Sequence, residues 1–291
     1  MDQERTHWPK PADTAAAERL NERFAAVGER EARFAAGEGE KILAALGGNA
    51  PYLADLAVTE SAALMAAVIE GPDAAFGRVS SQLARVSPKA ARSKIARELR
   101  VAKRRAALII ALADIGGVWP LERVTGALSE LAQAAVRVAV RHLLLSLHEQ
   151  KTLKLPHPAD PEKKCGFTAL ALGKLGGAEL NFSSDIDLVL LYDPENPVYP
   201  REAQPIMARL ARDLVTMLSA RDEFGYVFRV DLRLRPDPGA TPPVVGLQAA
   251  LTYYESHGRT WERAAFSKAR PVAGDIALGE KFLEAIRPFI W

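Results

Sequence analysis

The chain has 291 residues, 48% apolar and 25% charged, enough to bury one large core or two ordinary ones. Its formal charge of +2 lacks the basic excess of a nucleic-acid binder, so nucleic acid is not an expected partner. No apolar stretch nears the roughly 20 residues of a membrane helix, Met1–Ala17 has no apolar centre for a signal peptide, and the single cysteine, Cys165, excludes an internal disulfide and fits a cytoplasmic location.

From about Ala12 to Lys151 the sequence is rich in Ala, Leu, Glu and Arg, with Gly and Pro marks at Gly47–Pro51, Gly71-Pro72, Ser87-Pro88 and Gly116–Pro120. Helices are expected between these marks, the longest over about Lys89–Ile115 and Leu121–Gln150. In the former, Ile95, Leu99, Ala102, Ala106, Ile109 and Ala113 recur at helical spacing and form one apolar face. Lys103-Arg104-Arg105 on the same stretch reads as a solvated face. After Leu155–Pro158 the texture changes. Phe167–Leu172 and Ile186–Tyr192 read as strands, Glu202–Arg221 as a helix, and Tyr226–Arg235, alternating strictly, as a third strand. Leu247–His257 is a helix stopped by Gly258. The last residues, Phe289-Ile290-Trp291, fall inside a helical pattern, as expected of a fragment of a longer chain. The predicted class is α+β. A helical region is expected over 1–118, a domain with a small mixed sheet over 119–275, and the start of a further helical region over 276–291.

The chemistry concentrates around Asp185-Ile186-Asp187. Residues i and i+2 of a strand share a face, so Asp185 and Asp187 project together while Ile186, Leu188, Leu190 and Tyr192 take the other side. Two like charges on one face of a core strand repel, and burying them unpaired is costly. A hard cation such as Mg²⁺ resolves the conflict, because it takes carboxylate oxygens together with substrate phosphates. In the third predicted strand Arg229, Asp231, Arg233 and Arg235 share one face. If that strand neighbours the second, Asp231 reaches the same metals, and Arg233 and Arg235 suit phosphate oxygens. The glycine-rich turn Gly173–Ser184 precedes Asp185 directly. In it Gly176 and Gly177 allow close phosphate approach, Lys174 supplies a point charge, and Ser183 and Ser184 supply hydroxyls. It is not a Walker loop, since the Gly-Lys-Ser/Thr ending is absent. The competing explanation is a solvent-facing antiparallel sheet with cross-strand Arg–Asp pairs. It accounts for the arginines but not for the Gly-Gly turn.

Leu172–Leu188, Arg229–Pro236, Gly258–Arg263 and Lys268–Asp275 together resemble the bacterial bifunctional glutamine synthetase adenylyltransferase/adenylyl-removing enzymes, in particular their N-terminal, adenylyl-removing part. The resemblance implies a DNA polymerase β-like nucleotidyltransferase domain. It implies Asp185, Asp187 and Asp231 as catalytic, metal-binding residues, Mg²⁺ or Mn²⁺ as cofactor, and ATP/ADP and phosphate as small ligands. Glutamine synthetase is implied as the protein substrate and the PII signalling protein as a regulatory partner. The implied reaction removes AMP from a tyrosine of glutamine synthetase by phosphorolysis, giving ADP. Forward adenylylation from ATP and a non-catalytic docking module are the alternatives.

Overall fold

In this computed structural model residues 8–291 are described; 1–7, the opening of the charged N-terminal stretch, lie outside the described residues. The first part of the chain forms α1 (Thr14–Ala25), α2 (Glu29–Ala35), α3 (Glu40–Asn49), α4 (Pro51–Thr59), α5 (Ser61–Ile69), α6 (Pro72–Ala84), α7 (Arg92–Ile115) and α8 (Leu121–Glu149). The helix starts have local causes. Asp13 caps α1 by accepting the Ala16 N–H at 2.9 Å. Pro51 and Pro72 open α4 and α6, where a missing N–H costs nothing. α7 begins at Arg92 rather than Lys89, because Ser87 accepts the N–H groups of Lys89 and Ala90 and closes a turn in front of the helix. The six apolar positions predicted for the face of α7 are all buried.

The chain divides into two units. One comprises the described residues up to Gln82 together with Val101–Leu128; the other comprises Leu83–Arg100 and Ser129–Trp291. Within the first unit, Lys103-Arg104-Arg105 is not the solvated face that its charge suggested. Glu60 is buried at the break between α4 and α5 and accepts Arg104 Nε at 3.0 Å, Arg104 Nη2 at 2.6 Å and Arg105 Nε at 2.8 Å. Burial pushes the half-buried Lys103 ammonium down to about 8. A charge run reads as solvated only while its partner, here more than 40 residues away, is unknown. Among the described residues no single helix is long and apolar enough to cross a membrane. α4 and α5 together reach that length and composition but are bent by 93° at their break.

The second unit carries a mixed sheet of β1 (Phe167–Ala171), β2 (Ile186–Tyr192), β3 (Val230–Asp231), β4 (Val245–Gly246) and β5 (Arg270–Gly274). β1 pairs antiparallel with β2 on one side and β5 on the other. The far edge of β2 is shared: β3 pairs parallel with its start and β4 parallel with its end. The class is therefore α+β, with the small mixed sheet that the sequence predicted. One face of β2 looks toward α10 (Ala203–Ser219), where the Tyr192 hydroxyl donates to Gln204 at 2.8 Å. On the opposite face Val189 and Leu191 join Leu170, Leu172, Val245, Ala250, Tyr254, Phe266, Phe282 and Ile286 in an apolar cluster. That cluster draws on α11 (Leu247–Ser256), α12 (Thr260–Phe266) and α13 (Ile276–Ala285), so the stretch after Asp275 supplies side chains to this core.

The third strand is much shorter than its alternation predicted. Of Tyr226–Arg235 only Val230 and Asp231 pair in the sheet. Upstream, Val227 and Phe228 donate to Leu218 O at the end of α10, and Ser219 Oγ accepts the Val230 N–H. Downstream, the Asp231 carboxylate accepts the Arg233 N–H at 2.8 Å, which turns the chain out of the sheet. Pro236 has no N–H to offer a ladder. Leu234 then packs against the apolar cluster, on the side that strict alternation would have denied it.

Candidate functional site

β2 and β3 are hydrogen-bonded neighbours in parallel: Ile186 pairs with Val230 and Asp187 with Asp231. Register partners on neighbouring strands project from the same face. Asp187 and Asp231 therefore stand side by side, on the face that continues through Val189 and Leu191 into the core. Asp185 lies just before β2, two residues from Asp187.

The three carboxylates have different surroundings. Asp185 is paired with Arg229 Nε, while Arg229 Nη2 also donates to Ser183 O at 2.7 Å. Asp231 is gripped by Arg233, whose Nε lies 3.0 Å from Oδ1 and 2.8 Å from Oδ2. These hydrogen bonds hold the Asp231 carboxyl below its ordinary value. No hydrogen bond or ion pair reaches the Asp187 side chain from any described residue. Its carboxyl is pushed above the usual range, first by burial and then by the charges of Asp231 and Asp185, with Arg233 opposing. The competing explanation of a solvent-facing antiparallel sheet fails here. Arg–Asp pairs are present, but the strands are parallel, the face runs into the core, and the middle carboxylate has no arginine.

The glycine-rich turn supports this cluster from beside it. Gly173–Gly176 forms a single helical turn, α9. Gly173 has φ +54°, and a Cβ there would lie 2.7 Å from Asp187 Oδ2, so only glycine lets this carboxylate lie against the backbone. Gly176 packs on the backbone of the segment before β5: its Cβ would lie 2.4 Å from Lys268 O. Gly177 is crowded by the Lys268 side chain, whose ammonium bonds Glu179 at 2.7 and 2.9 Å. Arg270 of β5 donates to Gly176 O at 3.0 Å, Leu175 O at 3.2 Å and Gln133 of α8 at 2.7 Å. Leu180 N–H donates to Ser129 Oγ of α8 at 3.1 Å. The residues predicted for the site did not include Gly173, Glu179, Lys268, Arg270 or Arg229, although Gly173 and Glu179 lie in the glycine-rich turn, Lys268 and Arg270 in a motif that carries the resemblance, and Arg229 in the alternating run.

The other predicted site residues are placed as follows. Lys174 is exposed on α9. Ser184 Oγ accepts the Asn181 N–H at 3.3 Å and shapes the loop before Asp185, while Ser183 is exposed and offers its carbonyl to Arg229. Arg235 donates to the carbonyls of Leu232, Pro238, Thr241 and Pro242, all within its own loop. Glu262, buried, accepts the Arg259 N–H at 2.7 Å and the Tyr253 hydroxyl, a helix-capping role at the start of α12.

As a donor set, three carboxylates whose central member has no counter-charge suit a hard divalent cation. Their oxygens are not gathered into a coordination sphere: among the described residues no group of three or more His, Cys, Asp or Glu is arranged to hold a metal ion. Asp185 and Asp231 are turned onto their arginines instead.

The sequence matches the family described as Glutamate-ammonia ligase adenylyltransferase over residues 41–285. It is 44% identical over 262 residues to the bifunctional glutamine synthetase adenylyltransferase/adenylyl-removing enzyme of a Bradyrhizobium species, covering 89% of this chain and 27% of that one. A protein of the same name from Mesorhizobium japonicum is 44% identical over 268 residues, covering 90% and 27%. One from Rhizobium meliloti is 48% identical over 201 residues, covering 68% and 20%. The chain thus spans about a quarter of the length of the curated relatives it matches. With the family's match covering most of its length, both the helical part and the sheet that carries the three aspartates, the chain belongs to the glutamate-ammonia ligase adenylyltransferase family.

Proposed function

We propose that this chain performs nucleotidyl transfer on a protein, removing AMP from an adenylylated tyrosine of glutamine synthetase by phosphorolysis. The observation that carries the reading is the register of Asp187 against Asp231, with Asp185 at the foot of the same strand and two guanidinium groups alongside. Carboxylates that share a face with arginines suit a reaction whose substrates are anionic and whose transition state spreads charge over phosphate oxygens. Orthophosphate attacks the AMP phosphorus, the new P–O bond makes ADP, and the bond to the tyrosyl oxygen breaks. The tyrosyl oxygen leaves as the hydroxyl, taking up the proton that the attacking hydrogen phosphate gives up. Asp185, Asp187 and Asp231 would hold Mg²⁺ or Mn²⁺, which when bound supplies positive charge to the phosphate oxygens at both ends of the displacement. Arg233 and Arg229 orient the phosphate by paired hydrogen bonds. Gly173 keeps Asp187 in line, and Lys174 adds charge at the exposed side of the glycine-rich turn. In this reading ATP or ADP and phosphate are the small ligands, PII is the regulatory partner, and the setting is cytoplasmic.

The test is phosphate-dependent release of ADP from adenylylated glutamine synthetase. Asp231→Asn is expected to lose turnover by a factor of about 100 or more while still binding glutamine synthetase. Near-normal turnover would remove the mechanism, and loss of binding alone would make this surface a docking face. The same protein given ATP and unmodified glutamine synthetase tests the forward direction, which the names of the relatives also carry.

A further inference from the structure

Two of the three carboxylates already hold cations, and both cations are arginines. Arg229 sits on Asp185, and Arg233 sits on Asp231. Both guanidiniums are solvent-exposed, with side chains 56% and 83% accessible, whereas Asp231 is only 15% accessible. The Arg229–Asp185 pair, exposed on both sides, is of the weak kind that exchanges readily, and the Arg233 guanidinium, itself in water, can be rehydrated when Asp231 is taken. Arg233 is anchored two residues from the carboxylate that it covers, and Arg229 two residues on the other side of it. Neither arginine can go far when its carboxylate is taken. Three negative and two positive groups leave the cluster with one negative charge uncompensated, on the half-buried Asp187.

Resting on the reading of this face as a cation and phosphate site, we propose that Arg229 and Arg233 are exchangeable counter-ions of the carboxylates. Without a divalent cation they neutralise Asp185 and Asp231. When a cation takes those oxygens, both guanidiniums are released beside it and become the donors for the incoming phosphate. The arrangement makes cation and phosphate binding mutually dependent. The cation frees the phosphate's donors, and the phosphate keeps the arginines from returning to the carboxylates. By linkage the two effects are equal in size. The same exchange explains why the aspartates are not gathered into a coordination sphere: each outer carboxylate is turned toward its arginine.

The experiment titrates Mn²⁺, followed as the free ion by its paramagnetic resonance, into the native chain, Arg229→Gln/Arg233→Gln and Asp187→Asn. Inorganic phosphate is then titrated at saturating Mn²⁺. The double variant is expected to bind Mn²⁺ about two- to ten-fold more tightly, because two competing ion pairs are gone. It should bind phosphate roughly ten-fold or more weakly, because the donors are gone too. A merely structural role would weaken both. Asp187→Asn should lose Mn²⁺ binding. If native binding depends on Asp187 but the double variant binds Mn²⁺ no more tightly, the counter-ion proposal is overturned and the site stands. If the native chain shows no Asp187-dependent Mn²⁺ binding, the site reading fails and the proposal with it. Should the double variant not fold, the single variants Arg229→Gln and Arg233→Gln make the same comparison.

Discussion

Asp187 is held where a carboxylate is least comfortable, and that discomfort has a measurable sign. Its carboxyl is raised above the ordinary value of 3.8 by burial and by two neighbouring carboxylates. A raised acid means that the folded state holds its proton to higher pH than the unfolded state. The stability cost of ionisation is therefore fully present above the raised value and vanishes as pH falls through it toward the unfolded value. Asp187→Asn should make the metal-free protein more stable at pH 7 by roughly 0.5 kcal/mol, allowing for screening by water. In thermal melts that advantage should shrink on acidification, and the variant should lack the stabilisation by Mn²⁺ that the proposed site predicts for the native chain. A variant less stable than native at pH 7 would contradict this account. Gly173 sits against the same carboxylate. Gly173→Ala combines a left-handed backbone at φ +54° with a Cβ 2.7 Å from Asp187 Oδ2, and should cost about 1–3 kcal/mol in denaturant unfolding. An unchanged unfolding midpoint would mean that the carboxylate simply moves aside.

At the scale of elements, the glycine-rich turn is held by its neighbours rather than by its own sequence. Arg270 from β5 bonds two of its carbonyls and Gln133 of α8, and Ser129 takes the Leu180 N–H. Replacing Arg270 with Met leaves those carbonyls without a charged donor. We expect a loss of about 1–3 kcal/mol and faster hydrogen exchange at the amides of Gly176–Leu180, with the amides of β2 unaffected. Exchange unchanged in the turn would show that α8 alone holds it. The strands differ in how legible they were. β2 was readable to the residue, because its short, nearly continuous apolar run is bounded by turn residues, as suits a strand buried on both faces. β3 was not. The alternation of Arg229–Arg235 is real in sequence, but an aspartate that accepts an N–H two residues on, and a proline with none to give, end the pairing after Asp231. Short polar side chains compete with the ladder for backbone donors, and periodicity cannot show which side wins.

For the molecule as a whole, the long-range ionic contacts matter most where a charge is buried. In the first unit, Glu60 at the α4–α5 break is held by Arg104 and Arg105. Glu60→Gln leaves both guanidiniums short of a counter-charge. The expected loss is about 2–3 kcal/mol, below the ~3–5 of a fully buried pair because the Arg105 side chain is 40% exposed. A melting temperature unchanged by the substitution would mean that the cluster is ornamental. The sequence by itself determined the class of the chain, the helical face of α7, the limits of β2, and the placing of Asp185 and Asp187 together before and within it. These features follow from periods of 3.6 and 2 residues and from glycine and proline marks, all of which act within a few residues. The tertiary structure alone decided that β3 would lie parallel to β2 with Asp231 opposite Asp187, that Gly173 would cradle a carboxylate, and that Arg229 would reach Asp185 and Arg104 would reach Glu60. Those partners are 44 residues apart in each case. Such pairings depend on strand register and helix packing, which local periodicity does not encode, so the charges were visible in the sequence but their partners were not.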